Sequence, residues 1–243
     1  MKIINLIEDT KGVEGCHYEH GLSFYIETKK HKLLLDTGAT AAFIDNAKVL
    51  GIDLTKVDTV IISHGHYDHT GGLLAFADIN SNAKIYIQKS ARGDFYNCRN
   101  QEEKYIGMDK KISELSQVVF LEGDLVIDEE LTIFTGVTGR KLWPKGNEIL
   151  KKKCGNEFVQ DDFCHEQYLV VDYSLDRIVN YKCKSESESQ ADDADDIKAL
   201  GILVSIMTGQ LICTLQIYFL LSDKEEVYKQ QCCKWSINAC ADR

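Results

Sequence analysis

The sequence is poor in proline and in basic charge. Pro144 is its single proline among 243 residues, and 28 Lys and Arg stand against 38 Asp and Glu, for a net charge of −10. That balance repels phosphate backbones and anionic lipid, and no segregated basic face is visible, so no nucleic-acid partner is expected. The nine cysteines include no Cys-x-x-Cys pair and are odd in number, in a chain too long to need staples. Reduced thiols and a cytoplasmic location are the expectation. The opening segment, MKIINLIEDTKG, has no seven-residue apolar run and meets its first acid at Glu8, so no secretory signal is expected. What is present is a globular composition, 44% hydrophobic and 27% charged, which argues against a disordered, fibrous or porin-like chain. The length suits one domain, with two small ones as the alternative.

The first 60 residues alternate short strand-like runs with turn signals: KIINLIE, Leu22 to Glu27 and Lys32 to Asp36. From Ala41 to Leu50, Phe43, Ala47 and Leu50 recur at spacings of four and three, which predicts a helix lying on a sheet and stopped by Gly51. Val57 to Ser63 reads as a buried strand, being apolar and rich in β-branched residues. Further strands are expected at Ala83 to Gln88, Val118 to Leu121, Leu131 to Thr135 and Tyr168 to Asp172, with Arg92 to Ser113 as a polar surface arm. The alternation suggests two sheets with helices outside, an α/β (α+β) class.

After Asp172 the character changes. Residues 185–196 hold six acids in twelve positions and no bulky apolar side chain, which reads as a solvated linker. Residues 199–221 then run without a charge, long enough to cross a bilayer if helical. Two buried strands or a buried helix compete with that span, because Thr208, Gln210, Thr214, Gln216 and two glycines interrupt the run. The division expected is a domain over 1–181 and a divergent segment over 182–243.

The chemistry concentrates in Ser63 to Leu73, SHGHYDHTGGL, where His64, His66, Asp68 and His69 occupy six positions directly after the buried strand. Alternate spacing at a strand end lets several ligands converge without a long helix. Neutral imidazole with carboxylate is the ligand set of Zn²⁺, Fe or Mn rather than of Ca²⁺ or Mg²⁺. A merely polar turn does not explain four ligand-type residues behind so apolar a strand. Bound metal lowers the pKa of its water from ~15.7 to about 7, and paired ions about 3.5–4 Å apart also polarise a phosphoryl or carbonyl oxygen. Metal-assisted hydrolysis is the reaction class this points to.

His64-x-His66-x-Asp68-His69 followed by Gly-Gly resembles the signature of the metallo-β-lactamase superfamily. Glu19-His20-Gly21-Leu22-Ser23, Asp36-Thr37-Gly38 and His165-Glu166-Gln167 occur in the order typical of the branch resembling dihydropteridine-ribofuranosylaminobenzene-phosphate synthase. The likeness covers about residues 1–172. It implies a four-layer αββα sandwich with two divalent transition metals at one edge of the sheets, zinc foremost with iron or manganese open. In relatives the residues matching His64 and His66 bind one metal, and those matching Asp68 and His69 the other. His165 stands where the third histidine ligand falls by chain order, with a substrate or supporting contact as its alternative. Asp36 can orient an imidazole, the alternative being an Asx-turn with Thr37 and Gly38. His20 is placed near the metals by likeness, whereas His17 and His31 read as surface residues.

Relatives continue into a Gly-Cys-Ser-His-like segment and supply a later histidine, but this chain has no histidine after His165, and Leu175 stands where one would be. A deletion or frame shift that replaced the C-terminal third is the expectation, leaving an incomplete ligand set, with one bound metal as the alternative to two. Three functions follow. The first is a hydrolase acting on a phosphoester or other small ester or amide, with Asp68 orienting the nucleophile. The second is a catalytically impaired metal-binding or ligand-sensing domain, and the third a form tethered to membrane through 199–221. The partner expected is a small-molecule substrate, and the oligomeric state stays open.

Overall fold

The computed structural model describes residues 1–100, 102–136, 145–173, 200–206, 215–221 and 229–230. In chain order come strands β1 (Lys2–Ile7), β2 (Ser23–Glu27) and β3 (Lys32–Leu35), helix α1 (Ala42–Val49) and strand β4 (Thr59–Ile62). Helices α2 (Tyr67–Thr70) and α3 (Leu73–Ile79) precede β5 (Lys84–Gln88), β6 (Asp94–Arg99), β7 (Glu102–Tyr105) and β8 (Val118–Leu121). The remaining strands are β9 (Leu125–Val126), β10 (Leu131–Thr135), β11 (Leu150–Cys154), β12 (Glu157–Gln160), β13 (Gln167–Tyr173), β14 (Leu200–Ile206), β15 (Leu215–Leu221) and β16 (Lys229–Gln230).

The first sheet has the spatial order β1-β2-β3-β4-β5-β8. Its first three strands are antiparallel and the rest parallel. A parallel strand covered on both faces must be apolar on both, and β4 is buried at every position. Successive side chains point to opposite faces, so the strands feed two separate cores. Leu34, Val60, Ile62, Ile85 and Ile87 meet Phe43 and Ala47 of α1 and Leu73 and Phe76 of α3. Leu33, Leu35, Ile61 and Tyr86 face the other way, onto Leu131 and Ile133 of β10 and Leu169 and Val171 of β13. Each such side chain, once buried, contributes roughly 1.5–3 kcal/mol.

The second sheet, β16-β15-β14-β13-β10-β9, is antiparallel throughout. Helix layer, sheet and sheet are therefore stacked as expected for the α+β class. No α-helix follows Ile79 among the described residues. Within the apolar run at 199–221 the described residues form two strands, with Leu200 paired to Leu221 at one end and Ile206 to Leu215 at the other. No helix among the described residues is long and apolar enough to cross a membrane. The acidic linker at 185–196 and Leu175 lie outside the described residues.

The surface arm expected at Arg92 to Ser113 is instead part of a third sheet, β12-β11-β6-β7. Its β7 edge is exposed throughout, as its polarity suggests. Phe95, Met108 and Ile112, however, are fully buried, and they dock the sheet onto the body. His31, expected on the surface, is clamped between two carboxylates: Nδ1 lies 2.8 Å from Asp58 and Nε2 2.8 Å from Asp128.

Candidate metal centre

The parallel register brings the ends of β3 and β4 level, Leu35 opposite Ile61. The residues that follow, Asp36 and Ser63, therefore emerge side by side. Asp36 is fully buried and adopts a left-handed φ of 61°, a conformation that Asp and Asn tolerate better than most residues. Its Oδ1 accepts the Ser63 N–H at 2.7 Å, and its Oδ2 accepts the Ser63 hydroxyl at 2.7 Å. The same Oδ2 lies 2.7 Å from His69 Nδ1. Ser63 Oγ, having donated its proton to Asp36, is an acceptor for His64 Nδ1 at 2.9 Å.

One carboxylate thus sets two tautomers, directly in His69 and through Ser63 in His64. Both rings carry their proton on Nδ1, so the lone pair is on Nε2, the form a metal requires. The Asx-turn alternative for Asp36 is not what its carboxylate does. Burial, and then the neighbouring His69, His66 and His165, push the His64 imidazole well below its ordinary pKa, so the ring is neutral at neutral pH.

His66 precedes α2 in an extended conformation, and its carbonyl accepts the N–H and hydroxyl of Thr70. Asp68 Oδ2 lies 3.5 Å from His69 Nε2 and 3.5 Å from His20 Nε2. His20 sits half-exposed at the mouth, with its Nδ1 3.7 Å from Asp9. The short Glu19-to-Ser23 segment locks this mouth. Glu19 accepts the N–H groups of Ala39 and Thr40 at 2.9 Å each, Leu22 N–H donates to the Asp68 carbonyl, and Ser23 donates to the Asp36 carbonyl. Gly71 and Gly72 permit a close crossing of backbones: a Cβ on Gly72 would lie 2.3 Å from the Thr37 carbonyl oxygen.

His165 reaches the centre from the second sheet. Gln167, at the start of β13, donates its side-chain amide to the carbonyls of Ile62 (2.8 Å) and Tyr86 (2.9 Å), which pins that strand across the ends of β4 and β5. His165 itself is fully buried, with Phe95 4.1 Å away centroid to centroid. Its Nδ1 accepts the Gly65 N–H at 3.1 Å, and its Nε2 lies 3.2 Å from Asp161 Oδ2. Asp161 is fully buried as well. Burial would raise its carboxyl pKa, but the contact with His165, the nearby His66 and the Phe163 N–H outweigh that and hold it below the usual carboxylate range.

The ligand atoms fall into two groups, each within 4.8 Å internally: His64 with Asp68 and His69, and His66 with Asp161 and His165. This differs from the pairing implied by resemblance, which joins His64 to His66. The residues suit a divalent ion on an independent ground. His64 Nε2 and His66 Nε2 are both buried without a hydrogen-bond partner. Buried polar atoms are rarely left so, and one in each group calls for an electrophile at each.

Asp161 and Ser63 are the residues sequence reasoning missed. Ser63 was visible in the motif, and its relay depends on β3 lying beside β4. The signal for Asp161 was its i, i+4 spacing from His165 behind a second, exposed aspartate, Asp162.

A family model described as the metallo-beta-lactamase superfamily matches residues 19–142. The chain belongs to the metallo-β-lactamase superfamily. Membership supports a metal-dependent, hydrolase-type reading at the coarsest level. Within it, 93 residues are 39% identical to the 7,8-dihydropterin-6-methyl-4-(beta-D-ribofuranosyl)-aminobenzene-5'-phosphate synthase of Methanocaldococcus jannaschii, covering 35% of this chain and 32% of that protein. An uncharacterised protein of the same organism is 26% identical over 173 residues, 69% of this chain and 65% of that one. The crystal structure of a metal-dependent hydrolase of the beta-lactamase superfamily superposes with a TM-score of 0.57 at 32% identity, covering 70% of this chain and 60% of that chain. The matches thus span from about a third to just under two thirds of these relatives' own length.

Proposed function

We propose that the chain is a metal-dependent hydrolase that cleaves a phosphoester or related small ester or amide. The observation that carries this reading is the pair of buried, unpartnered nitrogens, His64 Nε2 and His66 Nε2. Ions held at these nitrogens would supply a water of pKa about 7 and a Lewis acid for the reacting oxygen. His64, Asp68 and His69 would hold one ion and His66 the other, with His165 beside it.

The remaining work falls to the protein's own groups. Asp36 keeps His64 and His69 in the required tautomer without touching substrate. Asp68, whose side chain is 14% exposed, faces the opening and orients the attacking water by accepting its hydrogen bond. His20, at the mouth, contacts the substrate. A cleft of about 470 Å³ lined by Tyr67, Tyr105, Met108 and Lys110 adjoins the ligand loop, within the size range of small-molecule sites. Tyr67 lines that cleft and precedes Asp68 in the chain; burial, and then the Asp68 charge, raise its phenol pKa. These features support a small-molecule substrate.

A second reading, a metal-binding or ligand-sensing domain without turnover, is favoured by the absence of any histidine after His165. Metal analysis with an activity assay separates the two. About two ions per chain, and phosphodiester hydrolysis lost in His66→Ala, support the hydrolase. One ion and no turnover support the binding domain, and no ion contradicts both.

A further inference from the structure

We infer that Asp161 is itself a metal ligand and that His165, placed by chain order as the ligand, is the residue that positions it. The inference rests on the metal-dependent reading above and adds a ligand to it.

Hydrogen-bond direction decides the roles. A backbone N–H can only donate, so the Gly65 N–H at 3.1 Å makes His165 Nδ1 an acceptor. A ring accepting at Nδ1 carries its proton on Nε2, and that proton points at Asp161 Oδ2, 3.2 Å away. A metal on Nε2 would need the lone pair that this proton occupies. Both nitrogens of His165 are therefore committed. In many metal sites a carboxylate orients a histidine ligand; here a histidine orients a carboxylate.

Asp161 has the complementary arrangement. Its Oδ1 accepts the Phe163 N–H at 2.9 Å, which leaves Oδ2 to face both His165 and His66. Phe163 takes a left-handed φ of 54°, a costly conformation for an aromatic residue. That turn folds the chain back so that His165 comes alongside Asp161. The carboxylate is fully buried, and among the described residues its ion-pair contacts are with His66 and His165, not with any lysine or arginine. A neutral ring cannot balance a buried anion, and a cation is wanted.

The spacing says where that cation goes. His66 Nε2 stands 3.6 Å from Asp161 Oδ2, too far for a hydrogen bond, and has no other partner. Two ligands at ~2.0–2.1 Å from a tetrahedral ion stand roughly 3.3–3.4 Å apart. The 3.5 Å between His69 Nε2 and Asp68 Oδ2 in the neighbouring group has the same character. In a chain with no histidine beyond His165, Asp161 supplies the ligand that the later sequence does not.

The test uses the full-length chain, stripped with chelator and reloaded with Zn²⁺ for elemental analysis or Co²⁺ for absorption spectroscopy. Asp161→Asn, which keeps the Oδ1 acceptor for Phe163, is expected to hold one ion fewer than wild type. His165→Gln retains an N–H donor for Asp161, and it is expected to keep the wild-type ion count and Co²⁺ band positions while affinity at this site falls about 10–100-fold. An Asp161→Asn protein with unchanged ion count and spectrum overturns the inference. A His165→Gln protein that loses an ion and shifts its Co²⁺ bands overturns it independently, should the first variant fail to fold. Wild type that takes up no ion overturns the hydrolase reading as well, so the two failures are distinct.

Discussion

Asp36 Oδ2 and His69 Nδ1 meet at 2.7 Å with both side chains essentially inaccessible to solvent. Because Ser63 extends the same carboxylate to His64, one residue pre-sets two rings for metal at no cost when the ion arrives. Asp36→Asn is an informative probe, since Asn tolerates the left-handed φ of 61° and leaves the backbone undisturbed. An amide has one acceptor oxygen and cannot serve both Ser63 groups and His69 at once. Metal affinity is expected to fall about 10–100-fold, measured by competition with a chromophoric chelator. Unchanged affinity would show that the tautomers are set elsewhere.

The His31 clamp makes stability depend on pH. Both ring nitrogens face carboxylates, so the fully bonded form is the imidazolium. Burial lowers its pKa, but the bonds to Asp128 and Asp58 more than offset that and leave it raised. A pKa raised in the folded state gives stabilisation that is complete below the unfolded value of about 6.5 and is lost as pH climbs through the folded value. The clamp ties the β2–β3 turn of one sheet to the approach to β10 in the other. Melting temperature is expected to decline as pH rises from about 6 to above the folded value, and this slope should flatten in His31→Gln. Equal slopes in the two proteins would remove His31 as the cause.

The crossing at Gly72 leaves no room for a side chain. A Cβ there would sit 2.3 Å from the Thr37 carbonyl oxygen and 2.5 Å from the Phe43 ring. Gly72→Ala is expected to cost about 3 kcal/mol, the upper end for overpacking, read from urea denaturation. A loss within experimental error would mean that the 37–40 loop yields freely.

Gln167 is the polar pin between the sheets. Gln167→Leu leaves the Ile62 and Tyr86 carbonyls without its two donors, and each buried unsatisfied group costs about 1–3 kcal/mol. The expected loss of stability is about 2–6 kcal/mol by the same unfolding measurement. A fully stable variant would place the junction's strength in the apolar contacts of Leu169 and Val171 instead.

The parts of the fold legible in the sequence were those whose pattern reports burial. β4 is buried at each position and apolar over Val60, Ile61 and Ile62 because both faces are covered, and Phe43 and Ala47 mark the inner face of α1. The ligand loop was legible because its four residues lie within six positions. The third sheet was hidden because β7 is solvent-exposed and the strands that complete the sheet beyond β6, β11 and β12, lie some fifty residues further along. Ser63, His31 and Asp161 were hidden for a common reason. Each takes its role from a partner on another strand or turn, and neighbouring letters such as Asp162 look the same while facing water.

Anomalous diffraction from a zinc-soaked crystal, recorded on both sides of the zinc absorption edge, tests the central claim most directly. The account predicts anomalous peaks roughly 2.0–2.2 Å from His64 Nε2 and from His66 Nε2, each shared with the carboxylate of its own group. Featureless density around both nitrogens at saturating zinc would contradict it.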